Sequence, residues 1–216
     1  MNYLAHALSD LDNPYFVAGT SLPDWLNVVD RKVRVRSKLA APFVTHEDEK
    51  IRTIAEGIMR HHDDDDWFHG SPVFQAMNMR FSVQIRETLQ DPAGLRAGFL
   101  GHILVEILLD SILEEEDPGL LERYYASVDV VDVTTVQRAV NLISRKPTEQ
   151  LVGIVPKMIQ ARFLYDYADD KKLLTRLNQI MRRVKLPELS DAMLDFLPVA
   201  RSEVRAAKND LVGRTE

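Results

Sequence analysis

Apolar residues recur at helical spacing along most of this chain. Ile51, Ile54, Ala55 and Ile58 fall at i, i+3, i+4 and i+7, which places them on one face of a helix. Thr45 ahead of that stripe, with Asp48 three residues later, predicts the N-terminal cap. The stripe then continues through His61, Asp65 and His69 in the same register, so a face that begins as isoleucine ends as imidazole and carboxylate. Polar groups buried without partners are costly, and a cation held on that face would partner them. A second stripe of Phe74, Met77, Phe81, Ile85 and Leu89 predicts a helix from Val73 to Leu89. Asp91-Pro92 breaks the chain and starts a third helix, from Ala93 to Leu113. Its stripe is Leu95, Phe99, His102, Glu106, Leu109 and Leu113, again with two polar members in an apolar seam. Gly98 and Gly101 beside them leave room for a neighbouring helix, despite a propensity cost of about 1 kcal/mol each.

Further amphipathic helices are expected near 119–127, 134–146, 148–168, 169–184 and 190–211. Pro118, Pro147 and Pro187 punctuate them, and Pro156 is expected to kink one. Val128 to Val133 alternates like a strand but is too short and isolated to imply a sheet. The expected fold is all-α, a single domain over residues 1–216. Residues 1–113 would build a metal site between helices, and residues 114–216 would buttress it.

Composition narrows the chemistry. The chain has 216 residues, enough for one well-buried domain, and its 45% apolar and 28% charged content is ordinary for a globular protein. A formal net charge of −6 argues against broad nucleic-acid binding through phosphate neutralisation. Cysteine is absent, so any metal must sit on nitrogen and oxygen ligands, which suits Zn, Mn, Fe or Mg. The opening Met-Asn-Tyr-Leu-Ala-His lacks the basic start of a signal peptide, and the longest apolar runs, such as Ile103–Leu109, are too short to span a bilayer. A cytoplasmic location is the expectation.

All six histidines lie within the first 102 residues. His61-x-x-x-Asp65 and His102-x-x-x-Glu106 repeat one spacing that aims an imidazole and a carboxylate from the same helical face. Read without a metal, the first is a surface pair and the second a buried structural one. Within Asp63–Asp66, Asp65 shares the face of His61 and His69, whereas the other three aspartates are expected to be solvated. His62 points about 100° away from the stripe and is expected at the surface or behind the ligands. Asp24, after Pro23 and beside Trp25, is a candidate ligand delivered from a loop or helix start; otherwise Pro23-Asp24 is a turn. His6 in a short opening helix and His46 near the cap are further candidates, and Asp110 continues the 102/106 stripe. The basic segment Arg31–Lys38 follows Asp24 and would either guide an anionic substrate or form a solvated loop. No nucleophile elbow, phosphate-cradling glycine loop or dinucleotide fingerprint occurs, so metal-activated water is the chemistry these residues best support.

Two families share parts of this pattern. Met-Asn-Tyr-Leu-Ala-His6, Gly19-x-x-Leu-Pro-Asp24 and Gly57-Ile-x-x-His61-x-x-x-Asp65 resemble the acyl carrier protein phosphodiesterases, HD-like all-helical metal enzymes that release phosphopantetheine from a carrier protein. The likeness covers roughly the first 110 residues. The order His6, Asp24, His46, His61, Asp65, His69, His102, Glu106 is also similar to the ligand order of the zinc-dependent phospholipase C and S1/P1 nuclease fold. Together these likenesses imply a metal-dependent phosphodiesterase with two or three divalent cations on those eight residues and with Asp65 and Asp24 catalytic. The substrate would be a small-molecule or carrier-protein phosphodiester, of phosphopantetheine or phospholipid type. The alternative is a non-catalytic helical module in which the same residues hold a structural ion or a buried polar network.

Overall fold

In a computed structural model, residues 1–90 and 95–213 are described. The fold is all-α, with no strand among these residues. The helices are α1 (Tyr3–Ala7), α2 (Pro14–Val29), α3 (Ser37–Ala40), α4 (Glu49–Gly70), α5 (Pro72–Leu89), α6 (Leu95–Glu116), α7 (Leu120–Asp129), α8 (Val133–Ile143), α9 (Leu151–Gln160), α10 (Asp170–Arg183) and α11 (Met193–Val212). Short 3-10 turns cover Ala41–Phe43 and Phe163–Ala168. No described helix is long and apolar enough to cross a membrane. The expected break at Asp91-Pro92 and the start at Ala93 lie outside the described residues.

One compact unit comprises Met1, Tyr3–Trp67 and Gly119–Phe163; the other comprises Asn2, Phe68–Pro118 and Leu164–Glu216. Each is therefore built from early and late sequence.

In the first unit, α2 and α4 touch backbone to backbone. A Cβ placed on Gly19 would lie 3.0 Å from the Gly57 Cα and would collide with the Ile54 carbonyl. One placed on Gly57 would lie 2.9 Å from the Gly19 Cα and collide with the Phe16 carbonyl. Only glycine permits this approach. It sets Ile51, Ile54, Ala55 and Ile58, all fully buried, against Val17, Ala18 and Leu22 of the same core. The Ser21 hydroxyl meets the Tyr124 hydroxyl at 2.9 Å, joining α2 to α7, and the Tyr3 ring packs edge-on to Phe163.

Several local expectations are corrected here. Asp48, not Thr45, caps α4: its carboxylate accepts from the Lys50 and Ile51 amides and pairs with Arg138. Pro23-Asp24 is not a turn, because α2 runs through it. The segment 128–133 is the end of α7 followed by Asp132, which caps α8 by accepting from the Thr134 and Thr135 amides. The strand-like alternation there reflects one buried face on each side of a cap. The expected helix over 148–168 ends at Gln160, where Arg162 takes a left-handed φ of 43° before the 3-10 turn.

In the second unit, Ser71 caps α5 through a 3.2 Å bond from the Phe74 amide, and Phe74, Met77, Phe81 and Ile85 are buried as the stripe predicts. Gly101 admits α5 closely, since a Cβ there would lie 2.9 Å from the Asn78 carbonyl; Gly98 is in ordinary contact. Arg201 on α11 binds the Ser111 hydroxyl, the Tyr167 carbonyl and the Asp170 carboxylate, linking α6, α10 and α11.

Three substitutions test this packing and capping. Gly57→Ala should destabilise the protein by about 1–3 kcal/mol in urea titrations, because neither colliding backbone can yield. Gly153→Ala, where an added Cβ meets nothing, should be neutral or gain up to about 1 kcal/mol from helix propensity. Asp132→Ala should lower the melting temperature near neutral pH. The Asp132 carboxyl is held below the ordinary carboxylate range by its bonds from Thr135 and Thr134, so the cap's contribution is present above that range and lost as pH falls. The gap between parent and variant should therefore close in acid.

Candidate metal centre

Three predicted ligands converge in the first unit. His6 from α1 and His61 and Asp65 from α4 each place a ligand atom within 4.8 Å of the others. The imidazoles stack with centroids 4.2 Å apart, and each turns its Nε2 toward Asp65, at 3.4 Å for His6 and 3.3 Å for His61. Both rings are almost wholly buried, whereas Asp65 is half-buried.

The opposite ring nitrogens are already committed. His61 Nδ1 donates to the Thr20 carbonyl at 2.8 Å, a contact made possible by the glycine crossing of α2 and α4. His6 Nδ1 donates to Asp64 at 3.2 Å, and Asp64 is fixed in turn by Arg60 at 2.7 Å. Bonds of this kind orient an imidazole so that Nε2, once it has lost its proton, presents its lone pair to a metal. His6 Nε2 is buried and has no hydrogen-bond partner, despite facing Asp65. The donor set therefore fits a divalent cation bound by nitrogen and oxygen. The positive charge now nearest Asp65 is the Met1 amine, 2.6 Å from Oδ1.

Electrostatics follow from this packing. Burial works against the charged form of His6, but Asp64 and Asp65 outweigh it and raise its pKa above the ordinary histidine value. Burial would likewise raise the Asp65 carboxyl; the facing imidazoles of His6 and His61 and the Met1 amine instead hold it far below the carboxylate range. Asp64 is also lowered: His6 and Arg60 overcome its burial.

Asp24 stands mid-helix rather than in a loop, and it is not among the three grouped ligand atoms. It lines a cavity of about 300 Å³ together with His61, His62, Asp65, Arg34 and Arg36. His62 is half-buried and its Nε2 donates to the Val35 carbonyl at 2.7 Å, so it anchors the basic segment instead of facing solvent. Asp64 was expected to be solvated and is buried. Positions i+3 and i+4 flank the direction of His61 on either side, so the face holds two aspartates, not one; Asp63 and Asp66 are the exposed pair.

His69, His102 and Glu106 form a separate group in the second unit. His69 Nε2 bonds Glu106 at 2.7 Å, and His102 Nε2 lies 3.4 Å from the same oxygen. Phe74 packs against both rings. Burial would raise the Glu106 carboxyl, but nearby positive charge and its bonds to His102 and His69 lower it below the ordinary range. These rings are about one-third exposed, and among the described residues neither has an Nδ1 partner to orient it. The expected buried 102/106 pair is thus a three-membered network at partial exposure. His46 belongs to neither group: its Nδ1 accepts from the Asp48 amide, and its ring stacks on Phe43. Asp110 is buried in α6 and is in neither group.

No family model, curated protein or solved structure matches the chain. The likenesses to phosphodiesterases accordingly rest on the motif residues alone.

The Asp64 arrangement has a measurable consequence. Asp64→Ala leaves His6 Nδ1 and Arg60 without their partner and should cost about 1–3 kcal/mol in denaturant titrations. Asp66→Ala, two residues on and exposed, should stay within about 0.5 kcal/mol of the parent.

Proposed function

We propose that the protein is a metal-dependent phosphoesterase whose reaction centre is the group His6, His61 and Asp65, with Asp24 across the cavity. The observation that carries this reading is the buried Nε2 of His6, which makes no hydrogen bond and faces Asp65 at 3.4 Å beside the Nε2 of His61 at 3.3 Å. Zn, Mn, Fe or Mg would be held by those three side chains. When bound, such a cation supplies Lewis-acid polarisation of a phosphoryl oxygen and acidifies water at neutral pH.

The chain's own residues provide the rest. Thr20 and Asp64 hold the two imidazoles in one orientation. Asp65 stays ionised and orients a nucleophile, and Asp24 is the second carboxylate within reach of a ligand in the cavity. Arg34 and Arg36 on the cavity wall present guanidinium groups suited to phosphate oxygens. The substrate is a phosphodiester, on a small molecule or a carrier protein, and the cytoplasmic location expected from sequence goes with this reading.

The alternative of a polar network without catalysis is favoured at the second group. There the 2.7 Å bond between His69 and Glu106 already satisfies the facing atoms.

Protein purified without chelator should carry at least about one equivalent of transition metal and hydrolyse bis(p-nitrophenyl) phosphate, and EDTA should abolish turnover. His61→Ala should weaken metal binding by more than the roughly 10- to 100-fold typical of losing an orienting partner. Metal-free protein with unchanged melting in EDTA, and no turnover with added Mn, Zn or Mg, would sink the proposal.

A further inference from the structure

The basic segment and the loop after α8 meet in a second concavity of about 230 Å³, lined by Lys32, Arg34, Arg36, Lys38, Arg145 and Lys146. Among the described residues none of these six makes an ion pair. Other arginines of the same unit, Arg60, Arg138 and Arg162, are paired with Asp64, Asp48 and Glu122. Six unneutralised cations around one concavity, in a chain whose net charge is −6, repel one another and attract a compact anion.

The groove is also held in shape. Asn141 and Thr148 exchange two hydrogen bonds across the loop, at 3.0 and 2.8 Å, and the Ser144 hydroxyl donates to the Lys146 carbonyl. The buried Thr148 hydroxyl reaches Asp30 at 3.1 Å, and Asp30 also accepts from the Lys32 amide. The carboxylate nearest to the groove in sequence is thus used to join its two walls and neutralises none of its cations. On the other wall, buried Val33 and Val35 direct Lys32, Arg34 and Arg36 outward.

We propose that this groove is an anion subsite that takes a second, terminal phosphate of the substrate. Arg34 and Arg36 line both this groove and the cavity containing His61, Asp65 and Asp24, so one ligand can place its diester at the histidines and its terminal phosphate here. Resting on the phosphoesterase reading, this narrows the substrate to soluble molecules that carry a phosphate beyond the scissile bond. The groove's volume suits a phosphate or pyrophosphate group and not an acidic helix, which would need a broad open face.

Calorimetry with inorganic pyrophosphate in EDTA tests the groove apart from any metal. Saturable binding at about 1:1 is expected, weakened at least tenfold (about 1.4 kcal/mol) in Arg145→Glu/Lys146→Glu and retained in His61→Ala. Both groove substitutions are at exposed positions outside helices, so circular dichroism and melting should match the parent. With a p-nitrophenyl phosphodiester bearing a terminal phosphate, the double variant should raise KM far more than it lowers kcat. No saturable pyrophosphate binding, or equal affinity in the double variant, overturns the subsite. Binding only to polyglutamate, or only to phosphatidic acid vesicles, overturns it in favour of an acidic protein or a membrane surface. Pyrophosphate binding without hydrolysis of either diester would uphold the anion site and overturn the phosphoesterase reading.

Discussion

The approach of α2 to α4 at Gly19 and Gly57 is the constraint on which the candidate centre depends. Two helices normally stand 8–10 Å apart because side chains separate them. Here a side chain on either glycine would strike backbone. The close contact brings the Thr20 carbonyl within 2.8 Å of His61, which fixes the ring's tautomer, and it places Asp24 on the wall of the same cavity. The glycines carry no chemistry themselves; they set the distance at which the chemistry becomes possible.

The two histidine groups contain the same residue types and are organised differently. In the first, every outward nitrogen is anchored to a carbonyl or carboxylate, and the unsatisfied valence points inward. In the second, the inward atoms satisfy one another and the outward nitrogens lack protein partners among the described residues. A cation would gain most where the protein has already met the cost of ordering the ligands and left a lone pair unused.

Helix period made much of this legible. The run through Phe81 predicted α5 to within a residue, the run through Ile58 predicted the buried face of α4, and its continuation named His61, Asp65 and His69. Periodicity could not assign them to different groups, because one helical face can serve different surroundings along its length. Asp64 was missed because the stripe was drawn as a line, whereas a buried face is wide enough for both i+3 and i+4. The role of His62 depends on the Val35 carbonyl, a backbone atom invisible to any residue pattern. Thr45 lost to Asp48 because an aspartate three residues later can itself cap, and here it also pairs with Arg138. Only one wall of the basic groove, Arg31–Lys38, was legible, since Arg145 and Lys146 lie more than a hundred residues from Arg36.

The segment 31–36 sets its arginines by parity, with the Val35 carbonyl held by His62. Val33 and Val35 are buried and Lys32, Arg34 and Arg36 exposed, in a stretch that leaves the turn at residues 31–32 and has no neighbouring strand among the described residues to lock its alignment. Inserting or deleting one residue ahead of Val33 would exchange odd for even, turning guanidinium groups into the core and valines into the groove. Two residues would restore the alternation. Length variation here is therefore tolerable in steps of two and ruinous in steps of one, a rule no helical part of this protein shares.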